Sequence, residues 1–234
     1  MIHLAFIRIS DLEIEGITLP AVFSAREQLA LNRLKVPKRR NEWAAGRLAL
    51  KKLVQKVIPG LHELSMDQIE VLNEPSGAPF IALADARFTI CVSLSHSNGY
   101  VLAACSSQVS RLGVDLEKIE PRQPEFITDY FTSAEQQQIF SAGIHGDELA
   151  TLFWSGKEAL LKAASLGLRM DTRNIDLGFT PGTGTLEEWN ELGVFCPQII
   201  NPPPRLVWRR EGQMVQTVCW VDEPPQALKW VSLV

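Results

Sequence analysis

The chain has 234 residues, 46% of them hydrophobic and 21% charged, the composition of a globular protein with ample core for one large domain or two small ones. Its net charge of −4 gives no general attraction to nucleic acid, so an anion site has to come from locally clustered base. No apolar run approaches the length of a membrane span, and the opening MIHLAFIRIS lacks the basic start and long apolar stretch of a secretory signal. Neither a membrane nor a nucleic-acid partner is expected. Cys91, Cys105, Cys196 and Cys219 form no CxxC and have no His at zinc spacing. Cys91, Cys105 and Cys219 lie in apolar runs and read as reduced core thiols, which suits the cytoplasm.

In chain order, residues 2–9 read as a strand. LPAVFSAREQLALNRL then runs with helical period, and KVPKRRNEWAAGRLALKKLVQKVI is the longest helical stretch, closed by the Pro59-Gly60 pair. NEPSGAP reads as a loop. TICVSLSHSNGYVLAACS is two apolar runs around Asn98-Gly99, a strong hairpin signal. RLGVDLEKIE reads as a strand. TSAEQQQIF reads as a short helix capped by Thr132 or Ser133 with Glu135 nearby, and DELATLFWSGKEALLKAASLG as a second long helix. IDLGFT, RLVWRREG, VQTVCWV and LKWVSLV read as strands of an antiparallel region, with NPPPR a rigid loop among them.

A weak internal repeat runs through this order. FSAREQ at 23–28 resembles FTSAEQ at 131–136, and each is followed by a helix containing a Trp, Trp43 and Trp154. Aligned on the Trp residues, Arg47 falls on Glu158 and Lys51 on Lys162. Two similar amphipathic helices explain the match; a duplicated α+β unit explains the order as well. On the second reading the chain divides into halves over 1–110 and 111–234, and a cleft between them is the natural ligand site.

Asp115 and Glu117 alternate with Val114 and Leu116 on one strand, so both carboxylates point to one face, about 7 Å apart. At an effective dielectric near 20 they repel by roughly 2 kcal/mol. Two readings fit: an exposed edge strand whose polar face meets water, or a divalent cation between the acids. The first long helix is basic, and Arg40, Arg47 and Lys51 share one side of it, either as a solvated face or as a phosphate site. Glu158 and Lys162 lie one turn apart on the second long helix, as a surface ion pair or as part of a site. Ser95 and His96 end an apolar run. Neighbours on a strand point to opposite faces and no GxSxG is present, which argues against a Ser-His-acid triad; a phosphate contact fits instead. No GxxxxGK[ST] is present either. Base for phosphate, acids for a metal and a Lys beside an acid together suit Mg²⁺-assisted phosphoryl-type transfer.

GVDLE, then FWSGKEALLKAASLGL, with SLSHS upstream, resembles the 4′-phosphopantetheinyl transferases of the larger, pseudo-dimeric type. The resemblance spans about residues 20 to 180 and includes RRNEWAAGRLALKK and the GAPF loop. It implies a monomer of two α+β halves related by pseudo-twofold symmetry, with antiparallel sheets, packed helices and the active site in the cleft between them. It implies transfer of the phosphopantetheine arm of coenzyme A to a serine of an acyl, polyketide or peptidyl carrier protein, with release of adenosine 3′,5′-bisphosphate. Carried over by motif, Asp115, Glu117 and Glu158 are the expected Mg²⁺ ligands. Glu158 and Lys162 are the expected catalytic pair, base and leaving-phosphate stabiliser. Lys38, Arg40, Arg47, Ser95, His96 and Lys157 are the expected coenzyme contacts.

One departure stands out: Ala78 occupies a loop position that is basic in many members, so a phosphate contact is missing or comes from Arg87 or Arg39. A non-catalytic carrier-binding or coenzyme-binding module and a metal-dependent hydrolase of coenzyme A or nucleotides are the competing readings. The carrier itself is not legible.

Overall fold

The computed structural model describes residues 1–12, 19–180, 185–196, 199–221 and 227–233. These form two compact units, one of Met1–Val109 with Pro224–Val234 and one of Ser110–Glu223. Both are α+β, with largely antiparallel sheets and packed helices.

The first unit opens with β1 (Ile2–Arg8), followed by α1 (Leu19–Val22), α2 (Ala25–Arg33) and α3 (Pro37–Val57). What reads in the sequence as one helix is broken at Ser24, which adopts an extended conformation and caps α2. Pro37 takes the first helical position of α3, where its missing N–H costs nothing. β2 (Glu70–Asn73), β3 (Pro79–Leu83) and β4 (Ala86–Arg87) make a small antiparallel sheet. β5 (Cys91–Ser97) and β6 (Tyr100–Ser106) form the expected hairpin; Asn98 and Gly99 both have positive φ (53° and 81°), as a two-residue turn of this hand needs. α3 packs on β6, β1 and β5 through Ala45, Leu48, Ala49 and Leu53, all 2% exposed or less.

The second unit holds β7 (Arg111–Lys118), α4 (Pro124–Tyr130), α5 (Ser133–Ser141), α6 (Gly146–Ala163), β8 (Asp176–Gly178), β9 (Asn190–Glu191), β10 (Gly193–Phe195), β11 (Arg205–Glu211) and β12 (Met214–Val221). Its main sheet runs β7-β12-β11-β9 and is antiparallel throughout; β8 and β10 form a separate pair. α6 lies on β7 and β12. The last strand, β13 (Leu228–Trp230), departs from the sequence expectation of an antiparallel C-terminal region: it pairs parallel with β1. The first unit's sheet is therefore β13-β1-β6-β5. Lys56 donates to Ser232 O at 2.9 Å and holds the tail there.

The same buried device occurs once in each unit. Ser24 and Glu27 form a reciprocal capping box at α2, as Thr132 and Glu135 do at α5. Each glutamate then receives a buried lysine: Lys51 at 2.5 Å from Glu27, Lys157 at 2.6 Å from Glu135, all four side chains fully buried. Lys51 also donates to Val22 O and Met66 O; Lys157 donates to Tyr130 O and Thr172 O. Each glutamate accepts a strand N–H at 2.9 Å, from Val71 and Leu177. Even the rings match: Lys51 Nζ lies 5.1 Å from the Phe23 centroid and Lys157 Nζ 5.2 Å from that of Phe131. The duplicated pattern pairs Lys51 with Lys157, not with Lys162. Alignment on the Trp residues is thereby corrected, because the conserved geometry lies in the capping boxes and not in the Trp positions.

Candidate functional site

β7 is the outermost strand of its sheet, yet Asp115 on its acidic face is buried. Gly113 explains why. A Cβ at that position would overlap the Ala159 carbonyl oxygen and come within 2.6 Å of Ala163 N, so the backbone of α6 rests directly on the strand. Asp115 is two residues further along, on the same face. It is only 3% exposed. Lys162, one turn after Glu158 on α6, reaches Asp115 Oδ1 at 2.6 Å and Val114 O at 3.2 Å. Thr217, opposite Asp115 on β12, is hydrogen-bonded to Ser155 of α6 at 2.9 Å and ties strand and helix together beneath them.

Glu117 sits next along the same face. Burial, then the charge of Asp115, push its carboxyl up to about 7, against the opposing pull of Arg122 and Lys162. Arg122 Nη2 approaches it at 3.4 Å. Glu158 is likewise raised, first by burial and then by Asp115, with Lys162 pulling the other way. Glu117 and Glu158 thus both feel Asp115 and Lys162. Among the described residues no three His, Cys, Asp or Glu side chains stand as a ready metal cluster; in this arrangement Asp115 is turned to Lys162. Arg122, in a loop that carries no motif, was not legible as a partner of Glu117.

Lys157, expected at the coenzyme, is elsewhere. It is fully buried and committed to Glu135, Tyr130 O and Thr172 O. With no accessible atom it makes no coenzyme contact, and that assignment is withdrawn. Its neighbour Glu158 faces the other way because adjacent helical positions point about 100° apart.

The expected coenzyme residues Lys38, Arg40, Arg47, Ser95 and His96 all lie in the first unit. α3 begins with no side-chain cap, and Lys38 and Arg40 stand in its first turn, where cations oppose the helix dipole and an anion would be favoured. Lys38 is 81% exposed and 3.9 Å from Glu42. His96 Nδ1 lies 3.8 Å from the other oxygen of Glu42, so Glu42 links α3 to the end of β5. Arg40 donates to Leu31 O at 2.9 Å and to Asn32 Oδ1. Ser95 is buried on β5.

Arg47 is the most unusual of the set. It is 6% exposed, stacked 3.5 Å above the Trp43 ring and bonded to Asn73 Oδ1, and its Nε is buried with no partner among the described residues. Burial lowers its pKa to about 10, only partly opposed by Glu27. Asn73 belongs to the NEPSGAP segment and was missed, since nothing in an Asn marks it as a guanidinium partner. Arg87, a candidate replacement for the base absent at Ala78, pairs with Glu74 of that segment and stacks 4.9 Å from the Phe80 ring.

Residues 111–202 match the family model of the 4′-phosphopantetheinyl transferase superfamily. The chain is 32% identical over 122 residues to the 4′-phosphopantetheinyl transferase Sfp of Bacillus subtilis, a match that covers 50% of this chain and 51% of that protein. It is 37% identical over 68 residues to a holo-[acyl-carrier-protein] synthase of Streptococcus pyogenes, covering 29% of this chain and 58% of that one. The matches thus span about half the length of these curated relatives. A solved holo-(acyl-carrier-protein) synthase of Bacillus anthracis in complex with CoA is 26% identical, with a TM-score of 0.39 over 44% of this chain and 91% of that one. The matched residues 111–202, which carry Asp115, Glu117, Glu158 and Lys162, are where this chain is similar to the 4′-phosphopantetheinyl transferase superfamily.

Proposed function

We propose that this protein transfers the 4′-phosphopantetheine arm of coenzyme A to a serine of an acyl, polyketide or peptidyl carrier protein and releases adenosine 3′,5′-bisphosphate. The observation that carries this reading is the seating of α6 on Gly113, which gathers buried Asp115 and Lys162 with two further acids of raised proton affinity. The matched relatives are named for this transfer and for carrier modification. Acids that raise one another's proton affinity while partly buried are costly unless a cation offsets their charge.

The residues present fit Mg²⁺. Glu117 is pushed up to about 7 and Glu158 upwards, chiefly by burial and further by the charge of Asp115, both of which a bound cation would offset. Asp115, Glu117 and Glu158 would hold the ion. When bound, it would neutralise charge on the pyrophosphate of coenzyme A. The chain's own groups divide the remaining work. The raised proton affinity of Glu158 suits it to take the proton of the carrier serine hydroxyl. Lys162 carries the cation that meets charge developing on the leaving bisphosphate. Arg47, Lys38, Arg40 and His96 supply base for the nucleotide phosphates, with Ser95 as a further donor. We further propose that the protein acts as a monomer in the cytoplasm, where its four free cysteines would remain reduced.

Incubation with coenzyme A and Mg²⁺, with and without an apo carrier protein, tests this reading by intact mass and nucleotide analysis. A carrier heavier by one phosphopantetheine arm, with bisphosphate released only when carrier is present, supports the transferase. Release without carrier indicates a hydrolase; no release indicates a binding module.

A further inference from the structure

The two acids of the β7 face meet two different cations. Asp115 is held by Lys162 at 2.6 Å, a short charge-assisted bond. Glu117 meets Arg122, but Nη2 of that guanidinium stands 3.4 Å from Oε2, well beyond the length of such a bond. Nη1 lies 4.0 Å from Glu120, and Nε is buried with no hydrogen-bond partner among the described residues. Arg122 is thus placed against Glu117 without being locked there.

The placement is built into the fold. Arg122 lies in the loop between β7 and α4, with its side chain 17% exposed. Its guanidinium carbon is 5.2 Å from the centroid of Phe126, in the first turn of α4. The Phe126 ring meets that of Trp154 on α6 at 4.9 Å, and Trp154 stands one turn before Glu158. The loop is tied in this way to the helix that carries the third acid. Burial and the charge of Asp115 raise the Glu117 carboxyl, and Arg122 opposes them through its charge and its hydrogen bond. A guanidinium keeps its charge at every working pH, so it can leave Glu117 only by moving, not by losing a proton. A divalent ion and a guanidinium on one carboxylate repel each other. Glu120, 54% exposed and on the other side of the fork, is the acid to which Arg122 can turn.

We propose that Arg122 holds Glu117 when no divalent ion is bound and competes with the ion for that carboxylate, so that it sets the ion concentration at which the site fills. Arg122 is on this account a positioning residue. The inference rests on the reading of Asp115, Glu117 and Glu158 as ion ligands, and its test needs neither coenzyme nor carrier. Mn²⁺ is titrated into the full chain and the unbound ion is followed by electron paramagnetic resonance. Arg122→Gln should bind Mn²⁺ about fivefold more tightly than wild type, the upper end for an ion pair that is only partly exposed. Arg122→Lys, which keeps the charge, should stay near wild type. Arg173→Gln removes a cation paired with Asp171 instead, and should change nothing. In a Glu117→Gln background, Arg122→Gln should give no gain, a result that a merely structural role for Arg122 does not produce. Circular dichroism checks folding, and Arg122→Met repeats the test should Arg122→Gln misfold. Wild-type binding with Arg122→Gln equal or weaker overturns the role of Arg122 alone, as does a gain that persists without Glu117 or is matched by Arg173→Gln. Absence of Mn²⁺ binding in wild type and Arg122→Gln alike overturns the ion reading and this inference with it.

Discussion

Replacing Lys157 by Met separates the two roles this residue could have. A coenzyme contact would cost affinity and leave the fold intact. The structure instead makes Lys157 the partner of a carboxylate that no water reaches. Glu135 is fully buried, and burial is the largest influence on both groups, raising the acid and lowering the base. Removing one member of such a pair costs about 3–5 kcal/mol, because the other charge is left uncompensated. Lys157→Met should therefore lower unfolding stability by that amount. Glu135 still accepts Thr132 N and Leu177 N, so part of its charge remains served and the lower end is expected. Urea denaturation followed by tryptophan fluorescence gives the number. The sign of the pH effect is fixed. An acid whose folded pKa is raised favours the folded state most below its unfolded pKa and loses that support as pH rises through the folded value. The deficit of Lys157→Met should therefore shrink as pH falls towards the ordinary carboxylate range. Lys157→Met combined with Glu135→Gln should recover more than half of the loss, since no buried charge is then left alone. Lys51→Met should behave alike in the first unit, where the geometry is the same. A Lys157→Met protein as stable as wild type, with weakened coenzyme binding, would refute the argument and return Lys157 to the site.

Gly113→Ala should destabilise by at least about 3 kcal/mol, since only backbone atoms of Ala159 and Ala163 lie in the way; a stable, active variant would mean that α6 does not rest on β7 as described. Lys162→Ala should cost saturated turnover more than coenzyme affinity, and the reverse result in separate binding and rate measurements would make Lys162 a ground-state contact. Glu117→Gln should gain stability on wild type in metal-free buffer as pH rises from about 5 to about 8, by at most about 3 kcal/mol, because a carboxyl held near 7 in the fold costs stability once ionised. Parallel melting curves at the two pH values check this, and a constant difference between them would sink it.

Much of the site was legible because its chemistry is written locally. Strand alternation was enough to place Asp115 and Glu117 on one face, and helical spacing enough to put Glu158 within a turn of Lys162. The burial of Asp115 was not readable, nor was the reason that an edge strand can bury an acid. Both depend on Gly113, whose value lies in what another element places above it. Lys157 was misplaced for a related reason. It stands beside Glu158 in sequence, but on a helix neighbours face different ways, and its own side is decided by Glu135 and Thr172, residues far along the chain. Arg122 and Asn73 were missed because their roles are set by proximity alone.

The repeat shows the same division between local and non-local information. FSAREQ and FTSAEQ already contain the spacing of a capping box, in which the glutamate returns to the cap residue three positions back. A glutamate so held presents its remaining acceptor capacity inward, and burial then requires a cation. The cation had to come from the following long helix in both units. The alignment could therefore have been anchored on the lysines, Lys51 and Lys157, rather than on Trp43 and Trp154. Tryptophans fill space, and packing tolerates a shifted ring; a buried ion pair does not tolerate a shifted partner. The terminal strand marks the opposite limit. Its apolar residues state that β13 is a strand, but an edge strand takes its partner from whichever sheet lies open to it, and no spacing within LKWVSLV points to β1.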